Sequence, residues 1–342
     1  MNLQQTLGVE LPIIQAPMAG VQGSALAIAV CSAGGVGSLP CAMLDAAAMR
    51  HELAVVRAAT NRPFNVNFFC HRVPVPDAAR DAAWRRALAP YYREFGLDIE
   101  GVPSGPGRVP FDAAAAELLE KIRPAVVSFH FGLPDETLLA RVRGMGAKVL
   151  ASATTLDAAL WLERRGVDAI IAQGLEAGGH RGHFLSDDLT RQSGTFALLP
   201  QIVHGVHKPV IAAGGIADAV GVAAALAPGA AMVQVGTAYL LCPEATTRPA
   251  HREALASDAA RHTALTRLCS GRPARGIVNR LMREVADATA PAFPLATAVV
   301  GPLRAAAEAR GSSDFSPLWS GQNASGCRAC SATELTRALA GR

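Results

Sequence analysis

The chain has 342 residues, half of them apolar, a formal net charge of +4 and only 5% aromatic residues. Those totals allow a large core filled by alanine, valine and leucine, and no apolar run reaches the roughly 18 residues that a membrane span needs. They also argue against nucleic-acid binding, because the arginines between Arg252 and Arg280 read as a solvated helical surface with no aromatic residues interleaved for base stacking.

Eight apolar runs are strand candidates: residues 12–16, 36–39, 64–68, 125–129, 148–152, 169–173, 209–213 and 232–235. Between most of them lie alanine-rich stretches with apolar residues at helical spacing, such as Leu156, Ala159 and Leu160. Gly34-Gly35, Gly144, Gly166 and Gly229 stand where those helices end. Alternating strands and helices imply a parallel sheet with right-handed crossovers. Eight units in about 240 residues fit a closed (β/α)₈ TIM-type barrel. A doubly wound dinucleotide fold would carry G-x-G-x-x-G after its first strand, and Ala16-Pro17-Met18-Ala19-Gly20 stands there instead.

Two segments break the rhythm. Residues 70–111 form an insertion after the third strand, with a helix over 84–95 ended by the proline- and glycine-rich 102–110. From about residue 251 to 342 helical patterns over 255–268 and 304–310 suggest a C-terminal helical extension beside the barrel mouth. Residues 1–250 then constitute the barrel. No basic segment followed by an apolar stretch and a cleavage site opens the chain, so a cytoplasmic location is expected. Seven scattered cysteines read as reduced thiols. Cys327-Arg-Ala-Cys330 has metal spacing but no second ligand pair nearby, whereas zinc takes four ligands.

The chemistry concentrates at strand C-terminal ends. After the sixth strand comes Gln173-Gly174-Leu175-Glu176-Ala177-Gly178-Gly179-His180-Arg181-Gly182, a glycine-rich loop with a histidine planted in it. Glycines allow close approach of the backbone to a bound group, and an imidazole titrates near neutral pH. The seventh strand ends in Gly214-Gly215 and the eighth in Gln234-Val235-Gly236-Thr237. In such barrels these two loops frequently make a phosphate site from backbone N–H groups. Asp218 reads as an early-turn helix residue. Asn65 and Asn67 share a face of the third strand and are costly to bury without partners, so one of them suits the amide edge of an aromatic cofactor. Met18 offers a polarizable thioether at the first strand's end. Ser128-Phe129-His130-Phe131-Gly132 points a second histidine into the same mouth; His183 lies further along its loop as a bystander. Neither H-E-x-x-H, G-x-S-x-G nor a Walker loop is present, which leaves metal hydrolysis and serine hydrolysis without support.

Gln15-Ala16-Pro17-Met18-Ala19-Gly20, the 173–182 loop, Ala213-Gly214-Gly215-Ile216 and Gln234-Val235-Gly236-Thr237 together resemble the nitronate monooxygenase family, formerly called 2-nitropropane dioxygenases. The His180-Arg181-Gly182 ending, the 128–132 motif and Trp319-Ser320-Gly321-Gln322 are similar to its class I branch. The resemblance implies an FMN-binding barrel that oxidises alkyl nitronates, notably propionate 3-nitronate, with O₂ to a carbonyl compound plus nitrite and nitrate. It implies FMN contacts from Met18, Asn67, Gln173, Gly178, Gly215, Gln234, Gly236 and Thr237, with Gly214 added by the phosphate argument. His180 would be the catalytic histidine, either as imidazolium stabilising the anion or as a neutral base, and His130 would position the substrate. Relatives often carry tyrosine where this chain has Phe293, which bears on substrate choice. A flavin-dependent NAD(P)H reductase of the enoyl-acyl carrier protein reductase or quinone reductase type and a non-catalytic flavin-binding protein are the rival readings. The expected partners are a small-molecule nitronate and O₂, without nucleic acid or membrane, and no oligomeric state is specified.

Overall fold

The computed structural model describes residues 2–103 and 108–342, so 104–107 of the expected 102–110 turn lie outside the described residues. In chain order the strands are β1 (Ile13–Gln15), β2 (Gly37–Pro40), β3 (Phe64–Phe69), β4 (Val126–His130), β5 (Lys148–Ala153), β6 (Ala169–Gln173), β7 (Gly179–His180), β8 (Val210–Ala213), β9 (Met232–Val235), β10 (Thr263–Thr266) and β11 (Ala274–Ile277). Eight of them form one parallel sheet in the order β1-β9-β8-β6-β5-β4-β3-β2. A parallel bridge between Ile14 and Val36 joins its two ends, with Gln15 N donating to Val36 O at 2.9 Å. The sheet is a closed (β/α)₈ barrel, and all eight expected strands lie in it.

Strand alternation explains where the polar residues go, because successive side chains face opposite sides. Val66, Phe68, Val127, Phe129, Ile170 and Ala172 face the helices and belong to the main core. Ile14, Val126, Leu150, Ile171, Ile211 and Met232 fill the lower interior, where the short helix Leu3–Leu7 plugs the floor with Leu3 and Leu7. Two residues further along the same inward rows the character changes to Ser128, Ser152, Gln173 and Gln234. The apolar floor therefore supports a polar upper layer at the C-terminal ends of the strands.

The insertion helix begins earlier than its apolar pattern, at Ala78, where the Asp77 side chain caps it, and runs to Phe95. Its buried Trp84, Leu88, Tyr91 and Tyr92 pack against Leu268, Leu281, Val299, Leu303 and Phe315, making a second core. Tyr92 Oη donates to Val299 O at 2.6 Å, so the phenol enters that core with its polar tip satisfied. Burial of each such large side chain is worth about 1.5–3 kcal/mol. The helix Ala332–Leu339 leaves this region and packs on the helix Ser24–Ala33, with Ala332, Leu335 and Leu339 in the main core.

Two expectations for the extension are corrected. The helix expected over 255–268 stops at Ala256, gives a 3₁₀ turn over Asp258–Arg261 and becomes strand β10. Ser257 ends it by capping the following turn, and the β-branched Thr263 and Thr266 favour the extended backbone. The arginines between Arg252 and Arg280 are not one solvated face. Arg252 donates to the carbonyls of Leu241, Cys242, Ala245 and Thr247, and Arg275 is buried with its Nε on Leu175 O at 2.8 Å. They turn inward because irregular segments leave carbonyls that need donors.

Candidate active site at the barrel mouth

The polar upper layer opens into a cleft at the barrel mouth. Met18, Asn67, His130, Gln173, Gly178, His180, Gly214, Gly215, Gln234, Gly236 and Thr237 all line it. Residues from several different strand ends thus meet at one place. Asn65 does not reach the cleft. It is fully buried one layer below, its Nδ2 donating to Ser38 Oγ at 3.0 Å. Asn67 donates to Ser128 Oγ at 2.9 Å, which fixes its amide at the cleft wall.

The loop after β6 is held by a buried cation. Arg181 is fully buried and donates to Gly174 O at 2.7 Å, Gln173 O at 2.8 Å and Gln192 Oε1 at 2.9 Å. Burial without a paired carboxylate pulls its pKa down to about 9. Gln173 reinforces the loop, its Nε2 donating to His180 O at 3.0 Å and its Oε1 accepting from Gly182 N at 2.8 Å. Residues 179–180 form β7 by pairing with β11, so His180 sits on a strand edge rather than on a free loop.

His180 Nε2 lies 2.8 Å from Ser270 Oγ. Its ring is 5.5 Å from that of Trp319 and 5.4 Å from that of Phe293. Burial, and then the nearby Arg108, hold the imidazole well below its ordinary pKa. His130 Nε2 is 3.1 Å from His180 O, and its Nδ1 is 2.9 Å from Ser152 Oγ. A carbonyl can only accept, so Nε2 carries the proton and Nδ1 accepts from the serine. Burial lowers the pKa of His130 to about 3, which keeps this tautomer neutral. Both of its ring nitrogens are committed within the protein, so the side chain fixes the His180 backbone.

Gly214 and Gly215 have φ of 118° and 75°, which leave bare backbone on the wall after β8. Gly178 is required by close approach: a Cβ there would stand 2.5 Å from Gly321 N. The segment 319–323 forms the opposite wall, with Gly321 N donating to Thr237 Oγ1 at 2.9 Å and Asn323 Nδ2 to Gly215 O at 3.0 Å. Asp218 is the N-cap of the helix Ala219–Leu226 and accepts from Gly221 N at 2.8 Å, so its carboxylate is spent on the helix start. Gln234 Oε1 is buried without a hydrogen-bond partner among the described residues, although its side chain lines the cleft.

Sequence reasoning missed Ser270, Ser152 and Arg108, and it noted Arg181 in a motif without giving it a role. Each is an ordinary surface residue by type, and only tertiary pairing brings it to the cleft or its supports. His183 turns toward a second cavity lined by Thr154, Phe184 and Gln192. Cys327 Sγ lies 3.0 Å from Thr237 O, and all seven cysteines are free. Among the described residues no group of three His, Cys, Asp or Glu is placed to hold a metal. No helix among them is long and apolar enough to cross a membrane.

A closed parallel barrel with its histidine, glycine-lined walls and unpaired amide at the C-terminal mouth defines a barrel enzyme. Comparison with known proteins narrows the class. A profile of the family described as Nitronate monooxygenase matches residues 1–341. The chain is 44% identical to the nitronate monooxygenase of Paraburkholderia phytofirmans, over 97% of this chain and 92% of that one. It is 43% identical to that of Pseudomonas aeruginosa, over 97% and 96% of the two chains. Among solved structures, a nitroalkane oxidase from Streptomyces ansochromogenes superposes with a TM-score of 0.90 at 39% identity, covering 99% of this chain and 97% of that one. A mutant of FabK from Thermotoga maritima superposes with a TM-score of 0.71 at 26% identity, covering 98% and 93%. The chain belongs to the nitronate monooxygenase family, a family of flavin-dependent oxidoreductases.

Proposed function

We propose that this chain binds FMN in the cleft and oxidises alkyl nitronates with O₂ to a carbonyl compound plus nitrite and nitrate. Propionate 3-nitronate, which would give 3-oxopropanoate, is the proposed substrate. The observation that carries the reading is the convergence of all eleven sequence-derived residues, His130 and His180 among them, on one cleft. The cleft's chemistry fits a flavin mononucleotide on two counts. Bare backbone at Gly214 and Gly215, with Gly236 and Thr237 at the end of the adjacent strand, suits a phosphate. The unpaired Gln234 Oε1 calls for a donor that no described residue supplies, and a heterocycle with N–H groups has one.

In this reading Gly214, Gly215, Gly236 and Thr237 hold the phosphate end, and Met18, Asn67, Gln173, Gly178 and Gln234 surround the ring system. Bound flavin supplies the electron acceptor that a nitronate, already deprotonated, requires. The protein's part is to orient, shield and control protons. His180 is the proposed catalytic residue: its depressed pKa keeps the imidazole neutral, able to orient a bound nitronate by hydrogen bonding and to take a proton from a neutral nitroalkane. Ser270 fixes the orientation of that ring through Nε2. His130, expected to position the substrate, has both ring nitrogens engaged by Ser152 and the His180 carbonyl, so its proposed role is to position His180 instead.

The likeness to FabK keeps a flavin-dependent reductase as the second reading. One experiment separates the two. The purified protein is characterised by its visible spectrum, and the released chromophore is identified by mass. It is then mixed anaerobically with propionate 3-nitronate and, separately, with NADH. Rapid bleaching by the nitronate supports the proposal; bleaching by NADH alone overturns it. A colourless protein that cannot be reconstituted with FMN overturns both readings.

A further inference from the structure

One charged group in the cleft has no role in the chemistry described so far. Arg108 lines the cleft at the end of the insertion, with its Cζ 5.9 Å from the Phe69 ring centroid and 5.6 Å from that of Phe293. The same two rings flank His180, at 6.1 Å and 5.4 Å. The guanidinium and the imidazole therefore share one aromatic cage.

Among the described residues nothing nearby compensates the charge of Arg108. Burial pulls its pKa down to about 10, and the other charge it feels is the repulsion of Arg304. Glu176 is the carboxylate in the cleft wall, and its oxygens accept from the Thr195 backbone N–H and hydroxyl. His130 and His180 are neutral at neutral pH, so neither offers a competing positive charge. Arg272 stacks at 4.1 Å on the Phe131 ring and donates to His183 O. A half-buried cation without a partner costs free energy in the free protein, and a bound anion recovers it.

We propose that Arg108 is a specificity-determining residue that pairs with a carboxylate at the end of the substrate remote from the nitronate carbon. This rests on the nitronate-oxidising reading of the cleft. With the reacting carbon beside His180 and the acid group on Arg108, both ends of a short carboxylated nitronate meet complementary groups across the Phe69–Phe293 pair. A nitronate with a plain alkyl tail meets only the first of them. Selection for acid-bearing substrates then falls to the insertion, since the His130 ring nitrogens are already engaged.

The test compares wild type with Arg108→Gln and Arg108→Lys, each checked for unchanged flavin content and melting temperature. Steady-state rates are measured on propionate 3-nitronate and on propyl-1-nitronate, which share the nitronate charge and differ in the tail. Arg108→Gln is expected to lower kcat/KM on the carboxylated substrate by about 10- to 150-fold, mainly through KM, the range for losing a charge-assisted hydrogen bond. On propyl-1-nitronate the change is expected to stay within about 3-fold. Arg108→Lys is expected to recover part of the loss, keeping the charge without the planar fork. Equal losses on both substrates, or no loss on either, overturn the proposal. Calorimetric titration of the holoprotein with 3-nitropropionate and with 1-nitropropane reads the same contact without turnover. Loss of 3-nitropropionate affinity alone in Arg108→Gln supports the pairing even if wild type turns over neither nitronate, an outcome that sinks the oxidation reading instead. Unchanged 3-nitropropionate affinity overturns the pairing.

Discussion

Gly178→Ala tests whether the two walls of the cleft are set as closely as the chemistry needs. The added Cβ would stand 2.5 Å from Gly321 N and 2.6 Å from Ser320 C, both backbone atoms, so no rotamer change relieves the contact. Optimal heavy-atom separations are about 3.5 Å, and one wall must retreat by roughly 1 Å. The retreating segment carries Trp319, 5.5 Å from the His180 ring, and the Gly321 N–H that is donated to Thr237 at 2.9 Å. A shift of that size, transmitted to a reacting centre, costs about 100-fold in rate. Overpacking of this kind also costs roughly 1–3 kcal/mol of stability. The assay is kcat on propionate 3-nitronate, with flavin per chain and melting temperature measured on the same preparation. Gly144→Ala is the control, because a Cβ there meets nothing within 4 Å. A Gly178→Ala protein with wild-type flavin content and kcat within about 2-fold would refute the reasoning, since it would mean that the walls yield without disturbing the site.

Three other outcomes are expected. His180→Ala should keep its flavin and lose nitronate turnover; a protein purified without flavin would make the residue structural. Gly215→Val should deplete flavin, because φ of 75° is hostile to a β-branched residue and the branch intrudes on the bare wall, and full occupancy would contradict the phosphate assignment. Acid should destabilise the fold through His130, whose pKa falls from 6.5 to about 3 on folding. The folded value is the lower one, so protons bind preferentially to the unfolded chain. The stability is complete above about pH 6.5 and declines as pH drops toward 3, by at most about 1.4 kcal/mol per unit from this group. His130→Gln should show a shallower fall in melting temperature between pH 7 and 4.5, and an unchanged slope would remove His130 from the account.

The barrel was legible because its signal is local. Each strand is a short apolar run, those of β6, β8 and β9 closed by glycine, and the inward rows switch from apolar to polar within the run itself, as Ile171 to Gln173 shows. The cradle glycines were legible for the same reason: Gly214 and Gly215 announce positive φ wherever they stand. What the sequence hid depends on partners far along the chain. Arg181 looks like any loop arginine until the loop folds over it, and Ser270 becomes relevant only because β11 brings its segment against β7. Trp84 carries a helical pattern, but nothing in that pattern says that its neighbours are Leu281 and Val299, some two hundred residues away. The arginines of 252–280 misled for the opposite reason: their charge suggested water, while the irregular backbone around them offered carbonyls instead.

The wall contributed by residues 319–323 has a consequence for how the molecule is assembled. These residues are translated long after β9 completes the ring, yet they touch Gly178, Gly215 and Thr237 on three separate connections. A growing polypeptide can close its barrel while the mouth still lacks one side. Capture of any tightly held occupant thus belongs to the last stage of biogenesis, together with the seating of the helix Ala332–Leu339 in the main core.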